Sequence, residues 1–412
     1  MNATENRSGL VYILNSSIAL NFVRGQLEYF QSRGFDVTVL CPPRRSDEWH
    51  VSLPAGIRVR EIIMERTISP LQDLLSLWRL CSAIRVLRPA ITNVGTPKAG
   101  LLGGLAAWLC RVPCRFYTLH GLRFETTMGL LRRFLILAEK IACSFAHRVI
   151  CVSPSTRENA IASGLVTRER TVVLGPGSCN GVDIARFAPT PDVTRRAAAL
   201  RCQFAIPNVA KVILYVGRLT RDKGIPELLE FFVKLDQQFP HLRLVLAGCV
   251  EDGDPLPHES RKILESHPHI VFAGAVEDTP AYYALADFVA LPSHREGLPT
   301  VVLEAQAAGA PVVGARASGI IDVVTHGKTG LLFPVGDVPA LVAAVSTLIS
   351  NPALARTLAI AGQAQVTRNF RQERIWEALY WEYFRALRAR GLWSAVSPAR
   401  PKNRSLQVRP SD

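Results

Sequence analysis

The chain has 412 residues, 48% of them hydrophobic and 20% charged, which describes a folded globular protein with room for two domains and excludes a disordered or fibrous chain. Forty-eight Lys and Arg against 34 Asp and Glu leave a formal charge of +14, which calls for an anionic partner: a phosphorylated substrate, an anionic lipid surface or a nucleic acid. The longest apolar run, Ala99 to Cys110, is too short and glycine-rich to span a bilayer.

The amino terminus lacks the basic-then-apolar pattern of a signal peptide, so the expected location is the cytoplasm. Nine cysteines without a C-x-x-C pair lie mostly in strand-like or helix-like apolar sequence and read as buried free thiols.

Short apolar runs alternate with helical patterns. In chain order they are LVYIL from Leu10, DVTVLC from Asp36, ITNV from Ile91, RFYTL from Arg115, RVICVS from Arg148 and TVVL from Thr171. After a break come KVILYVG from Lys211, LRLVLAG from Leu242, IVFAG from Ile270, FVALP from Phe288 and PVVG from Pro311. Strands buried on both faces and separated by helices mean a doubly wound α/β sheet. The proline-bearing segment Ala185 to Lys211 breaks the rhythm and holds the boundary, giving Rossmann-like domains at 1–190 and 205–368. Ligands in such sheets bind beyond the carboxyl ends of the strands, so the site belongs in the cleft between the two halves.

Two segments, Ser69 to Pro89 and Leu130 to Arg148, are helical by period and mix large apolar residues with Arg and Lys. Core packing is the expectation for the first; for the second, core packing and contact with a lipid interface are equally open. A helix at 369–393 shows an apolar stripe at Ile375, Leu379, Trp381, Tyr383 and Leu387 and is expected to pack on the core. From Arg385 to the end the chain carries seven basic residues and one acid, and 394–412 reads as a disordered basic tail.

The chemistry concentrates in the second half. The loop VGRLTRDKG puts Arg218 and Lys223 on one connection after a strand. A guanidinium fork and an ammonium there suit a diphosphate, the alternative being a solvated basic loop. In HREGLPTVVLE, Pro299 reads as the first turn of a helix whose free N–H groups at Thr300 and Val301 make an anion site. Glu296 precedes that turn and Glu304 follows it, two acceptors flanking the place for phosphates, as recognition of a nucleotide sugar requires. The alternative is a favourable charge near a helix start and a surface glutamate.

These motifs, with the run that continues to LLFPVGD, resemble the donor-binding half of the family 4 retaining glycosyltransferases, whose fold is GT-B, two facing Rossmann-like domains with a helix returning to the first. The resemblance implies that Arg218 and Lys223 hold the donor diphosphate. It implies that Glu296 contacts the transferred sugar, that Glu304 contacts the ribose, and that backbone groups from Leu298, Pro299, Thr300 and Val301 meet the donor. In the first half NVGTPKAGLLGGLAA, LHGLRFE, VICVSPS and VVLGPGSCNGVDIARF resemble the subgroup that extends lipid-linked sugars for capsule, O-antigen or exopolysaccharide. His120 matches a cleft histidine near the reacting sugar, and Lys98 and Arg123 are candidate contacts for an acceptor diphosphate. Where many relatives have a Gly-Gly pair after the first strand that the donor approaches closely, this chain has Ser16 and Ser17, which take its place as candidate donor contacts.

The D-x-D in EDGDP, from Glu251, is read as a turn rather than a metal site, because Asp and Gly before Pro are ordinary turn formers, and the resemblance implies that Arg, Lys and helix N-termini neutralise the leaving diphosphate. GPGSCNG imitates a dinucleotide fingerprint, but Pro176 and the absence of a helical run after it argue against one. The expectation is therefore a retaining transferase moving a hexose or N-acetylhexosamine from a nucleotide diphosphate, a UDP-sugar first among the options, to a polyprenyl-diphosphate-linked saccharide. It would need no metal or other cofactor and would lie peripherally on the anionic inner face of the cell membrane. The alternatives are a nucleotide-sugar epimerase or hydrolase of the same architecture, and a basic nucleic-acid-binding protein. Against the last, the chain has no nucleic-acid module and no aromatics interleaved with its basic residues.

Overall fold

The computed structural model describes residues 8–43, 56–65, 69–251 and 253–392, without the side chains of Ser17 and Ile18. The expected tail at 394–412 lies outside the described residues. The first lobe runs β1 (Ser8–Ile13), α1 (Gln26–Ser32), β2 (Phe35–Cys41), β3 (Arg58–Glu61), α2 (Pro70–Leu87), β4 (Ile91–Gly95), α3 (Pro97–Leu109), β5 (Cys114–Leu119), α4 (Gly129–Phe145), β6 (Arg148–Cys151), α5 (Pro154–Ala162) and β7 (Thr171–Val173). The linking helices are α6 (Ile184–Phe187) and α7 (Pro191–Gln203). The second lobe continues with β8 (Lys211–Val216), α8 (Ile225–Asp236), β9 (Leu242–Ala247), α9 (His258–Ser266), β10 (Ile270–Gly274), α10 (Thr279–Leu285), β11 (Phe288–Leu291), α11 (Thr300–Ala307), β12 (Val312–Ala315), β13 (Leu331–Phe333), α12 (Val338–Ser350), α13 (Pro352–Asn369) and α14 (Gln372–Arg388).

All strand pairs are parallel, in the orders β3-β2-β1-β4-β5-β6-β7 and β10-β9-β8-β11-β12-β13. Chain direction across each sheet reverses once, between β1 and β4 and between β8 and β11. Those are the switch points at which open α/β sheets leave a crevice. Prolines in the first turn of α2, α3, α5, α7, α8, α10, α12 and α13 start these helices promptly after the preceding segment, where their missing N–H costs nothing.

Two strands escape the sequence reading. β3 is exposed at every residue and β13 has only three residues, so neither presents the long apolar run that marks a central strand. α7 packs on α10 and so joins the second lobe. No disulfide links any of the nine cysteines, but Cys202 and Cys249 are exposed, which corrects the expectation that the set is buried. Among the described residues no single helix is long and apolar enough to cross a membrane.

α14 crosses back to the first lobe and buries Ile375, Leu379, Tyr383 and Leu387 there. The Tyr383 ring lies 4.8 Å from Phe116 and 5.1 Å from Phe30 between centroids, while its hydroxyl accepts from Asn93 Nδ2 at 2.6 Å. Trp381 is 47% exposed, correcting its place in the stripe: six residues beyond Ile375 points away from the four-residue row that the buried side chains form. Trp376 and Tyr380 are buried as well, and Trp376 Nε1 donates to Asn180 Oδ1 at 2.7 Å, tying α14 to the linker.

α2 buries Leu80, Cys81, Ala83 and Ile84, yet leaves Leu71 80% and Trp78 67% exposed, so core packing accounts for one side of it only.

Tyr383→Ala should lower unfolding stability by about 3–5 kcal/mol, the range for an aromatic removed from a packed core, whereas Trp381→Ala should cost no more than about 0.5–1 kcal/mol. Urea unfolding of the two variants followed by circular dichroism checks this order.

Candidate functional site

The carboxyl ends of the two sheets face one another, and the chain leaving β5 meets the chain leaving β11. Gly297 fits there because it has no side chain: a β-carbon on it would lie 1.8 Å from the His120 carbonyl oxygen. Gly121, at φ +143, packs against Gly297 from the opposite lobe. Polar contacts close one rim. Thr156 Oγ1 donates to the Gly297 carbonyl at 3.2 Å, and the Ser155 N–H and hydroxyl both donate to the Asp322 carboxylate. Glu125 accepts from Ser318 Oγ at 2.5 Å and from Asn159 Nδ2 at 2.7 Å, holding one group from each lobe.

Within this crevice the loop after β8 carries the cations. Lys223 Nζ lies 2.7 Å from Glu296 Oε1, and the two side chains are 16% and 13% exposed. Arg218 Nη1 lies 2.6 Å from Glu251 Oε2 in a more open position. Asp222 is pushed up by partial burial and pulled down further by Arg295 and Lys223, so its carboxyl stays below the ordinary value. Pro299 stands at the N-cap of α11, one place earlier than read from the sequence, so Thr300 and Val301 are the first helical residues and their N–H groups lack intrahelical partners. Leu298 is part-buried beside Gly177. Glu304, in the second turn of α11, accepts from the Tyr283 hydroxyl at 2.8 Å. Burial drives the Glu304 carboxyl up to about 7, against the Tyr283 hydrogen bond and the Arg186 charge, which pull it down.

Opposite, His120 follows β5 and stacks on Phe22 at 5.1 Å between centroids. Burial pushes its imidazole down to about 4, so it is neutral near pH 7. A cavity of about 20 Å³ lies behind it, with Tyr12, Gln26, Asn93 and Thr118 in its wall, room for one water among polar partners.

The structure brings Arg218, Lys223, Glu296, the start of α11 and His120 to one crevice, with Glu304 a turn farther along α11. Ser16 lies at the end of β1, part-buried, and the Ser17 side chain is outside the described residues. Lys98, at the start of α3, is 2.6 Å from Asp73, so its charge is already matched, unlike a cation held open for an acceptor phosphate. Arg123 is exposed near the rim, three residues before Thr126. Arg295 was missed: its Nη2 lies 2.6 Å from Asp222 Oδ2 and its Nε donates to Thr126 Oγ1 of the other lobe at 3.0 Å. Its place beside Glu296 was the available signal. Glu251 and Tyr283, partners of Arg218 and Glu304, had none, since they come from distant loops and helices.

Gly297→Ala should hold the lobes apart and lower turnover at least about a hundredfold, because an ångström-scale misplacement of reacting groups costs that much, while each lobe keeps its fold. Turnover with unfolding curves of the variant and of Gly336→Ala, where a β-carbon meets nothing within 4 Å and only the left-handed backbone at φ +76 is strained, separates misplacement from lost stability: the second variant should lose stability and keep its turnover.

Residues 198–365 match the family described as glycosyl transferases group 1, and residues 20–177 match the glycosyl transferase 4-like domain. The capsular polysaccharide biosynthesis glycosyltransferase CapM of Staphylococcus aureus is 31% identical over 370 residues, which are 90% of this chain and 95% of that protein. The UDP-Gal:alpha-D-GlcNAc-diphosphoundecaprenol alpha-1,3-galactosyltransferase of Escherichia coli is 24% identical, over 86% of this chain and 91% of its own. Among solved structures, sucrose-phosphate synthase from Thermosynechococcus elongatus superposes with a TM-score of 0.77 at 22% identity, over 93% of this chain and 100% of that one. Anabaena HepE in complex with UDP-glucose gives 0.73 at 21%, over 92% and 99%. Facing parallel sheets that close on a paired lysine and glutamate, together with CapM identity along almost the full length of both chains, make this chain a member of the family 4 glycosyltransferases, an enzyme of GT-B fold.

Proposed function

We propose that the enzyme transfers a hexose or N-acetylhexosamine, with retention, from a UDP-sugar to a polyprenyl-diphosphate-linked saccharide in surface polysaccharide assembly. The observation that carries this reading is the desolvated Lys223–Glu296 pair at the β8/β11 switch point, directly across the lobe contact from His120. A diphosphate seated at the start of α11 meets Lys223 and Arg218 as well as the free N–H groups, and competes with Glu251 for the Arg218 fork. The same groups stabilise the charge that grows on the departing nucleotide, so no metal is required for that task. Glu296 accepts from a sugar hydroxyl and fixes the ring, Glu304 accepts from the ribose, and the neutral His120 imidazole is free to share a proton with a sugar hydroxyl. Retention is supported by family membership.

The acceptor class is supported by the Escherichia coli relative, named for transfer to a diphosphoundecaprenol-linked sugar, and by a surface that suits a lipid anchor. α2 and α4, on either side of α3, expose Leu71, Leu74, Trp78, Leu130 and Phe134, and Met128 at the cap of α4 is exposed beside them. Arg79, Arg85, Arg132, Arg133 and Lys140 lie on the same two helices, whose acids are Asp73, paired with Lys98, and the buried Glu139. An apolar and cationic face of this kind favours peripheral binding to an anionic bilayer. Arg123, near the mouth, is the better placed of the two candidate contacts for the acceptor diphosphate.

The test is UDP release from UDP-sugars with and without a lipid-linked saccharide extract. Release that needs the extract and falls at least about a hundredfold in Glu296→Gln supports the transferase, by the scale of lost positioning. Release that ignores the extract would make the protein a hydrolase instead. A second outcome follows from Glu304. Its carboxyl takes up a proton as pH falls through about 7 and then no longer accepts from the ribose as an anion. Donor affinity should therefore weaken toward acid, by at most about tenfold per unit, and Glu304→Gln should flatten that slope. Titration calorimetry with UDP from pH 8 to pH 5.5 reads both.

A further inference from the structure

At the end of the first lobe away from the cleft, α2 and α3 finish and β4 and β5 begin. A groove of about 750 Å³ opens there, with Arg85, Arg88, Ala90, Arg111, Pro113 and Leu392 in its wall and no acidic residue among the described lining. Among the described residues none of the three arginines has an ion-pair partner. Three uncompensated guanidinium groups around one groove repel one another, an arrangement that an anion relieves.

The backbone adds to this. Arg88, at φ +42, and Arg111, at φ +55, occupy the left-handed region, where glycine costs less, so both arginines stand in places that conformation alone disfavours. Further basic residues stand beyond the groove: partial burial first, and then the guanidiniums of Arg115, Arg390 and Arg170, hold the imidazole of His147 down to about 4. After Leu392 the sequence carries four more basic residues and a single acid. The helix ends that supply the arginines also expose Val86, Trp108 and Leu109. A soluble anion has no use for such an apolar rim, whereas an amphipathic ring such as Trp108 belongs at a bilayer interface.

We infer that this groove seats the phosphate of an anionic membrane lipid headgroup, with Val86, Trp108 and Leu109 at the acyl boundary, as a site separate from the transfer cleft. The inference rests on the peripheral reading above and adds a defined contact to it. Arginine forks grip a phosphate in a bidentate manner, so the seat sets the orientation of the lobe on the bilayer as well as its affinity.

Sedimentation of the full chain with phosphatidylglycerol–phosphatidylcholine vesicles tests it. The double variant Arg88→Gly/Arg111→Gly relieves the left-handed strain, so its fold is not endangered. Lys262→Gln/Arg356→Gln, on the second lobe, removes the same charge far from the groove and serves as control. Each basic residue at an anionic surface is worth a factor of about five, so the groove variant should partition about twenty-fivefold less than wild type and the control nearly as wild type. Equal loss in both variants, or none in the groove variant while wild type binds, overturns the seat and leaves the peripheral reading standing. Displacement of wild type by soluble glycerol phosphate at the headgroup concentration overturns the lipid as ligand. Absence of wild-type binding removes the peripheral reading, and the seat with it.

Discussion

The crevice depends on a steric constraint at Gly297, where the carbonyl of His120 occupies the space that any side chain would need. That contact sets how near the lobes come, and candidate site residues of both lobes gather around it. His120 and Gly121 leave β5 on one side, while Glu296 and the start of α11 leave β11 on the other. Neither lobe holds a complete site, since the cationic loop and paired glutamate belong to the second and the imidazole to the first. The rim contacts through Ser155, Glu125, Asp322 and Arg295 keep this closure in register.

Charge is graded across the crevice. Lys223 and Glu296 are nearly desolvated, where Coulomb forces are strong, whereas Arg218 and Glu251 lie in a more open place where water screens their attraction. Glu304 is held by one tyrosine hydroxyl in surroundings that resist its ionisation, and so its acceptor strength depends on pH near neutrality, where an exposed glutamate is fully ionised. The neutral His120 adds no charge to the opposite wall. The gradient thus runs from an anchored lysine at the switch point to a more open arginine at the edge, the direction along which a diphosphate would enter.

Much of this was legible in the residues. The two-lobed parallel architecture followed from apolar runs that central strands cannot avoid, and Arg218, Lys223, Glu296 and Glu304 followed from motifs lying in single loops and one helix start. β3 and β13 were not legible, because edge strands need little apolar sequence. Trp381 was misread because aromatic content was counted ahead of angular position. Partners such as Glu251, Tyr283 and Asp73 come from separate elements, and only the folded chain decides that Asp73 takes the charge of Lys98. The lobe contact was equally hidden, since a glycine in HREGL reads as a turn until the opposing carbonyl is in place.

The central claim is that Arg218, Lys223 and Glu296 divide the donor between them, the two cations taking the diphosphate and the carboxylate the sugar. Titration calorimetry comparing UDP with the UDP-sugar on wild type, Arg218→Ala/Lys223→Ala and Glu296→Gln tests it most directly. Expected is loss of UDP binding in the double variant, and in Glu296→Gln unchanged UDP binding with the extra affinity contributed by the sugar gone. UDP bound equally well without the two cations, or a Glu296 variant that still gains affinity from the sugar, would contradict it.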